Sequence, residues 1–486
     1  GFDVDLAREL ARRWLGDPQA VAFRQVRSDT AVEHILAGDV DLTLTALAHT
    51  QELEEPVDFG PPLFGDGQAL LAWATDVPTI TAPADLEGRA VGTVAGSEAE
   101  DGLAAAVPFT PTLLTYADFD QALAALERRE VVAVADFRHR LVRGLSHLPG
   151  TAIVGQYSHL LLAPAYRPDE PGLADLLALT LQDMFADGTF YDLYCRWFPG
   201  DSPPTVDLWP GAATATLETA GVVARAPDTI GSIQARGRLR VAMVAGRPPF
   251  AYLDAAGEPT GYEVHLVWLM AERWLGDRTA VDFVPVSLEE GLRMVAGGEV
   301  DLLIGAVVHS REAELGADFS LTTYVAGVGL MVRAGTAVGG IAGLEGQTVA
   351  AVAGTEGADV LRQAAQAAQV SLVILPKASL EEAMAALEAG EVVAVVGERA
   401  ELLGPAYATP GIGVTADRLT RVGLAMALPP GDSAFRDLVN LTLQAMAREG
   451  LLAAVYGEWF DDEPVRLPPW PGEPVGPLRI AVAPTE

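Results

Sequence analysis

From Leu239 the chain reads Leu-Arg-Val-Ala-Met-Val, an apolar, β-branched run halted by Pro248-Pro249-Phe250, which predicts a buried strand feeding a loop. After the turn-forming Asp254-Ala255-Ala256-Gly257, apolar side chains recur at Val264, Val267, Trp268, Ala271, Trp274 and Leu275. That spacing places one face of a helix against a core, and Gly276 supplies its stop. Val281–Pro285 alternates like a strand, Leu288–Val295 returns to the helical period, and Val300–Val307 is again a strand. Further strands are predicted at Val328–Val332, Thr348–Val352, Leu372–Leu375, Val392–Val396 and Val422–Ala427, before a last helix, Phe435–Glu449, followed by Tyr456, Trp459 and Phe460. Strand, helix, strand in repetition predicts an α/β protein with mostly parallel sheets covered by helices.

The pattern occurs twice. Gly1, Val4, Leu6, Ala11 and Arg13–Asp17 are identical to Gly261, Val264, Leu266, Ala271 and Arg273–Asp277, and the same offset of 260 carries Val40-Asp41-Leu42 onto Val300-Asp301-Leu302 and Asp58-Phe59 onto Asp318-Phe319. A fixed offset held over such a distance marks a duplicated domain. The expected units are 1–200, lacking its first strand, and 238–461, with linkers at 201–237 and 462–477. Leu478-Arg479-Ile480-Ala481 repeats the opening Leu239-Arg240-Val241-Ala242, so 478–486 reads as the start of a third unit and the sequence as a fragment of a longer array. Both linkers carry prolines, among them Pro203-Pro204, Trp209-Pro210-Gly211 and Pro468-Pro469-Trp470-Pro471-Gly472, and are expected to be extended and semi-rigid, spacing the units like beads.

Composition narrows the function. No apolar run approaches the roughly 18 residues that cross a bilayer. The formal charge of −34, with Lys377 the only lysine, repels polyanions and argues against a nucleic-acid partner. The same acidity serves solubility or the recruitment of cations. A lone Cys195 excludes an intrachain disulfide framework, and no close spacing among the histidines suggests a metal, so no metal or cofactor is assigned. There is no Gly-x-Ser-x-Gly elbow, and Lys377, following Leu375-Pro376, is not in a phosphate-binding loop. Gly411-Ile412-Gly413-Val414-Thr415-Ala416 matches a dinucleotide fingerprint on paper but follows Pro410 with no leading strand, and is read as a loop.

The ordered series Leu-Arg-Val-Ala, Pro-Pro-Phe, Gly-Tyr-Glu-Val, Gly-Glu-Val-Asp-Leu, Ala-Asp-Phe-Ser, Val-Ala-Gly-Thr and a closing Glu-Trp-Phe resembles family 3 of the bacterial extracellular solute-binding proteins. The first unit carries Gly38-Asp39-Val40-Asp41, Val57-Asp58-Phe59, Val94-Ala95-Gly96-Ser97, Val134-Ala135-Asp136 and Arg196-Trp197-Phe198 in the same order. The resemblance implies tandem bilobed domains of the type II periplasmic binding protein fold, each with two α/β lobes joined by hinge strands and closing on a small solute. The hinge strands are expected near Ala69–Ala74 and Leu160–Ala165, and near Gly327–Val332 and Val422–Leu428, with second lobes at about 75–160 and 335–421. It further implies a periplasmic or cell-surface location, no catalysis, and delivery of an amino acid-like or amine solute to an ABC permease. The alternatives are the sensing module of a membrane kinase, or a degenerate spacer that binds nothing.

Amino-acid binders of this family grip the ligand carboxylate with an arginine three residues after a strand-end threonine, a fork suited to a planar carboxylate. Counting from Thr50 reaches Leu53, and counting from Ser310 reaches Ala313, with Arg311 two places early. Asp136 matches the ammonium-binding aspartate in the first unit; the second has Gly397, with Glu398 beside it. Ser97 and Thr355 match an anion-binding turn, although Ser97 with Glu100 also reads as a capping box, and Glu98 and Glu356 would repel an anion. The candidate ligand-binding set is Thr45, Thr50, Phe64, Ser97, Glu98 and Asp136 in the first unit, and Arg247, Phe250, Ser310, Tyr324, Thr355 and Glu356 in the second. Asp136 with Glu98, and no clamp arginine, favours a cationic solute. His49 and His309 stand at equivalent strand ends, as a pH sensor or as packed structural residues. Trp14, Trp197, Trp274 and Trp459 are expected to anchor the core.

Overall fold

A computed structural model describes the chain apart from residues 27–29, 169, 200, 207, 218–227, 337, 339, 461, 469 and 472–486, and apart from the side chains of residues 45, 46, 98 and 101. The predicted third unit at 478–486 therefore lies outside the described residues. The chain forms two compact units: one comprises 1–168, 177–206 and 468–475, the other 169–176, 207–467 and 476–486.

The first unit's strands are β1 (Leu42–Ala48), β2 (Asp58–Phe59), β3 (Phe64–Asp66), β4 (Gln68–Trp73), β5 (Ala90–Val94), β6 (Thr112–Tyr116), β7 (Ala133–Phe137), β8 (Thr151–Val154) and β9 (Leu160–Tyr166). In its first lobe β9 lies between β1 and β2 and also pairs with β3; its second lobe is a five-stranded sheet in the order β6-β5-β7-β4-β8. The three strands β6, β5 and β7 run parallel, and β4 and β8 close the edge antiparallel. The second unit repeats that sheet strand for strand: Val373–Lys377, Thr348–Val352, Ala394–Glu398, Val328–Arg333 and Ile412–Arg418. Its first lobe is built on Leu239–Val244, parallel to Val281–Val286 on one side and to Leu302–Ile304 on the other.

The amphipathic helix predicted in both units forms at Phe2–Leu15 and Tyr262–Leu275, and Gly16 and Gly276 end it in the left-handed conformation that lacks a Cβ penalty. The Trp14 and Trp274 indoles donate to Thr180 Oγ1 and Thr442 Oγ1, each at 2.9 Å, so one polar tip is satisfied while the ring packs. Trp197 departs from expectation: it is 43% exposed, and its indole reaches Asp5 on the surface.

Three further expectations are corrected. Of residues 411–416, read as a loop, 412–416 lie in an edge strand, Ile412–Arg418, paired with Val328–Arg333; Gly411, at φ 86°, makes the turn into it. The stretch 201–237, read as linker throughout, ends in a helix, Thr229–Arg236, capped by Asp228 and burying Ile233 in the second unit's core. Ile230 and Ile233 are too few to declare a period in sequence. The hinge also lies earlier than expected. β3 pairs with β9, and Tyr324–Ala326 with Val422–Leu424, whereas Ala69–Trp73 and Val328–Val332 already belong to the second-lobe sheets.

Gly67 and Gly327 explain that shift. Their φ angles are 132° and 118°, and a Cβ would come within 2.1 Å of the Ser158 carbonyl oxygen and 2.2 Å of that of Thr420. The next residue's N–H donates to Ser158 Oγ (2.7 Å) or Thr420 Oγ1 (2.8 Å). Glycine thus lets two crossing segments touch and separates a hinge strand from a second-lobe strand.

Candidate functional site

Ligands of α/β folds collect at the carboxyl ends of parallel strands. At the end of β7, Asp136 is fully buried. Its Oδ1 accepts from the Phe137 N–H at 2.7 Å and lies 3.5 Å from Arg140 Nη1, but its Oδ2 has no hydrogen-bond partner. Burial pushes this carboxyl above the ordinary range, against the pull of the Phe137 N–H, Arg140 and His139. The Tyr157 hydroxyl, raised by burial and by the Asp136 charge, is a second buried polar atom with no hydrogen-bond partner. An unsatisfied carboxylate oxygen inside a protein is expensive, and a ligand ammonium would relieve it.

The strand register places Gly397 opposite Gly329 as Asp136 is opposite Ala69, so the second unit lacks a carboxylate there. Glu398, one residue on, holds the position that Phe137 holds in the first unit. Its carboxyl is pushed up to about 7 by burial, by a hydrogen bond with Glu356 and by the charges of Glu356 and Glu401. The pair brings two carboxyls together that cannot both ionise cheaply, and Glu398 Oε1 has no hydrogen-bond partner.

The other candidates divide. Ser97 and Thr93 share a 3.4 Å hydroxyl contact, and Glu100 reaches back to the Gly96 N–H at 3.0 Å, so the reciprocal box is not made and Ser97 keeps no cap bond. Thr355 donates to the Val352 carbonyl at 2.8 Å. Thr50 and Ser310 cap the short helices Gln51–Glu54 and Arg311–Glu314, their hydroxyl oxygens accepting from Leu53 N (3.3 Å) and Ala313 N (3.2 Å). Phe64, Phe250 and Tyr324 are buried in aromatic clusters: Phe64 lies 5.0 Å from Phe198, and Phe250 meets Tyr324 edge-on at 5.0 Å. Their rings pack in these clusters; Phe250 lies in a turn, and Phe64 and Tyr324 lie on strands, where alternation alone does not tell which sheet face is covered. Arg247 is half-buried in the loop that Gly404 of the second lobe approaches, where a Cβ would stand 2.8 Å from the Pro248 carbonyl oxygen. The Thr45 and Glu98 side chains lie outside the described residues. Arg311 bonds the chain before its unit, its N–H donating to the Pro210 carbonyl and its Nη1 to that of Ala213.

Sequence reasoning passed over an Arg–Asp–Tyr constellation that both units build, and a buried carboxylate in the second unit. Arg138, at the start of a second-lobe helix, pairs with Asp201 (Nη1 to Oδ2, 2.8 Å), which also accepts from the Tyr194 hydroxyl (2.8 Å). Arg399 likewise meets Asp462 (2.8 Å) and Tyr324 Oη (2.7 Å), while Asp462 takes bonds from Arg418 (2.6 Å) and Tyr456 (2.8 Å). These ion pairs tie the second lobe to the segment after the last helix. Glu263, fully buried, accepts from the Gly305 and Ala306 N–H groups at 2.6 and 2.9 Å, and Ala306 sits at φ 56°. The repeat was the available signal: Arg and Asp recur in both units, and Asp3 stands where Glu263 does.

Among the described residues, no group of three His, Cys, Asp or Glu is arranged to hold a metal, and no helix is long and apolar enough to cross a membrane. A hollow of about 360 Å³ between Phe2–Leu15 and Thr189–Trp197 is lined by Asp5, Arg8 and Arg196, with Asp5 within 4 Å of each guanidinium as an ion pair; it is on the first lobe and distant in sequence from Asp136.

The family model described as bacterial extracellular solute-binding proteins, family 3, matches residues 1–200 and 239–462. The ABC transporter glutamine-binding protein GlnH of Bacillus subtilis is 26% identical over 211 residues, 43% of this chain and 76% of the relative. The L-cystine-binding protein TcyJ of Escherichia coli K12 is 25% identical over 234 residues, 48% of this chain and 85% of the relative. The glutamate/glutamine/aspartate/asparagine-binding protein BztA of Rhodobacter capsulatus is 34% identical over 127 residues, 26% of this chain and 38% of the relative, so that match spans under half of BztA. A solved structure titled ancestral cationic amino acid solute binding protein aligns with 48% of this chain and all of its own, at 26% identity and a TM-score of 0.40.

Proposed function

Because the chain belongs to the bacterial extracellular solute-binding proteins of family 3, we propose that it captures a small ammonium-bearing solute, an amino acid or an amine, between the two lobes of a unit. Outside the cytoplasm, it would pass that solute to an ABC importer without chemical change. The single observation behind this reading is the buried Asp136 carboxylate, whose Oδ2 has no hydrogen-bond partner. A ligand ammonium brought against it by lobe closure would turn a destabilising group into an ion pair, and contacts made only in the closed state are what drive a hinge shut. The amino-acid-binding relatives GlnH and TcyJ support the solute class. Leu53 and Ala313, where a guanidinium would grip a ligand carboxylate, tilt the choice from zwitterions toward amines and cationic amino acids.

In the second unit Glu356 and Glu398 would take the place of Asp136, since Glu398 follows Gly397 in the strand and is hydrogen-bonded to Glu356. The test is calorimetric titration of the whole chain with putrescine, arginine and glutamate. Putrescine and arginine are expected to bind and glutamate not to, and Asp136→Asn is expected to remove one site. Glutamate binding that survives Asp136→Asn would defeat the proposal.

A further inference from the structure

His49 and His309 are each the middle layer of a three-ring stack. In the first unit His49 lies between Phe59, at 4.3 Å and 13°, and the indole of Trp470, at 4.1 Å and 24°. In the second, His309 lies between Phe319, at 4.3 Å and 13°, and Trp209, at 4.0 Å and 26°. Each imidazole is fixed in its plane by Nε2, bonded to Glu54 in one unit and to Glu314, at 2.6 Å, in the other. Beside the stack the proline after each tryptophan offers its carbonyl: Gln51 N donates to Pro471 O and Arg311 N to Pro210 O, both at 3.0 Å. Gln51 Nε2 adds a buried 3.0 Å bond to the Trp470 carbonyl, and Glu312 accepts from Ala212 N at 2.8 Å.

The visiting segments are Leu208-Trp209-Pro210-Gly211 and the chain around Trp470-Pro471, the same Trp-Pro pair in both linkers. One precedes the unit it docks on. The other follows the second unit in sequence, yet is seated on the first, and Trp470 is buried there to 7% exposure. Since the two pockets are alike in every ring and the two segments occupy them in opposite chain contexts, connectivity does not decide the docking. Chemistry does: an electron-rich indole face against an imidazole, and a proline that presents an acceptor without an N–H to satisfy.

We propose that the His-Phe-Glu pocket of each unit is a recognition site for a Trp-Pro segment, and that either linker of this chain fits either pocket. The linkers are then straps with a built receptor, and the occupant is an extended Trp-Pro segment of this same protein, in cis or from another copy.

The experiment uses the whole chain carrying Trp470→Ala, whose first-unit pocket has lost its indole, and a fluorescently labelled peptide of residues 205–214, followed by anisotropy. One peptide is expected to bind saturably per Trp470→Ala chain. The unmodified chain is expected to bind at least tenfold more weakly, because a tethered segment competes at high effective concentration. The same peptide with Trp209→Ala is expected not to bind, a control that leaves the protein untouched. The proposal is overturned if the Trp470→Ala chain shows no saturable binding at millimolar peptide, if the unmodified chain binds equally, or if the peptide lacking its indole still binds.

Discussion

Burial raises two carboxyls, Asp136 and Glu398, so that each holds its proton more tightly than an exposed acid does. Asp136 is buried with one oxygen unmatched, so Asp136→Asn is expected to raise the melting temperature of the ligand-free protein while removing amine binding from the first unit, a loss of about 2–5 kcal/mol for truncating one partner of a desolvated charge pair. Thermal melts and titrations on the same samples read both; a variant that melts no higher and binds unchanged would make Asp136 a bystander. Glu398, pushed up to about 7, is protonated below that pH, so a cation must displace the proton. Second-unit affinity for arginine is therefore expected to rise as pH goes up through 7, at most about tenfold per unit below it, and to level off above. Stability runs the other way. A carboxyl whose folded value lies above its ordinary one favours the folded state fully at pH below that ordinary value, and loses the contribution as pH climbs through 7. Titrations between pH 5.5 and 8.5 on the chain and on Glu398→Gln check this: the variant is expected to bind weakly with a flat profile. Asp136 was singled out in sequence by its match to the family's aspartate after the apolar run Val131–Ala135, and the structure buries it near that strand's end. Phe64, Phe250 and Tyr324 are buried, and an aromatic ring near a cleft and one beneath it leave the same trace in a sequence.

At the scale of an element, the strands and helices followed from period and from stops, since Thr348–Val352 and Val328–Arg333 are apolar on every residue that the sheet buries. The hinge did not follow, because its defining event is a contact between residues 67 and 158, or 327 and 420, far apart in the chain. Gly327→Ala is expected to cost about 1–3 kcal/mol, forcing a Cβ toward the Thr420 carbonyl at a backbone conformation that alanine rarely adopts. Gly329→Ala, two residues on in the same strand, would meet its nearest atom, Arg399 Cβ, at 3.7 Å and is expected to be tolerated. Urea unfolding followed by circular dichroism compares the two; equal effects would place the break of the strand elsewhere.

For the molecule as a whole, duplication was the strongest statement in the sequence, and it also exposes what single-copy reasoning overlooks. The Arg138–Asp201 and Arg399–Asp462 pairs and the two ring stacks each look incidental once and purposeful twice. The net charge of −34 gives the chain an acidic surface, whose field sums over its charges and reaches about 10 Å into solvent at 0.1 M salt. For a cationic solute that field lies downhill to the protein. The association rate of arginine or putrescine is expected to fall several-fold between 20 and 200 mM sodium chloride, with a much smaller change in the dissociation rate, since screening acts on approach more than on the contact pair. Stopped-flow measurement of tryptophan fluorescence reads both rates. A zwitterion such as glutamine, which carries no net charge to steer, serves as the comparison. If arginine and glutamine respond to salt alike, the acidity of the chain serves its solubility alone, and the proposed cationic preference would rest on Asp136 and the Glu356–Glu398 pair without help from the surface.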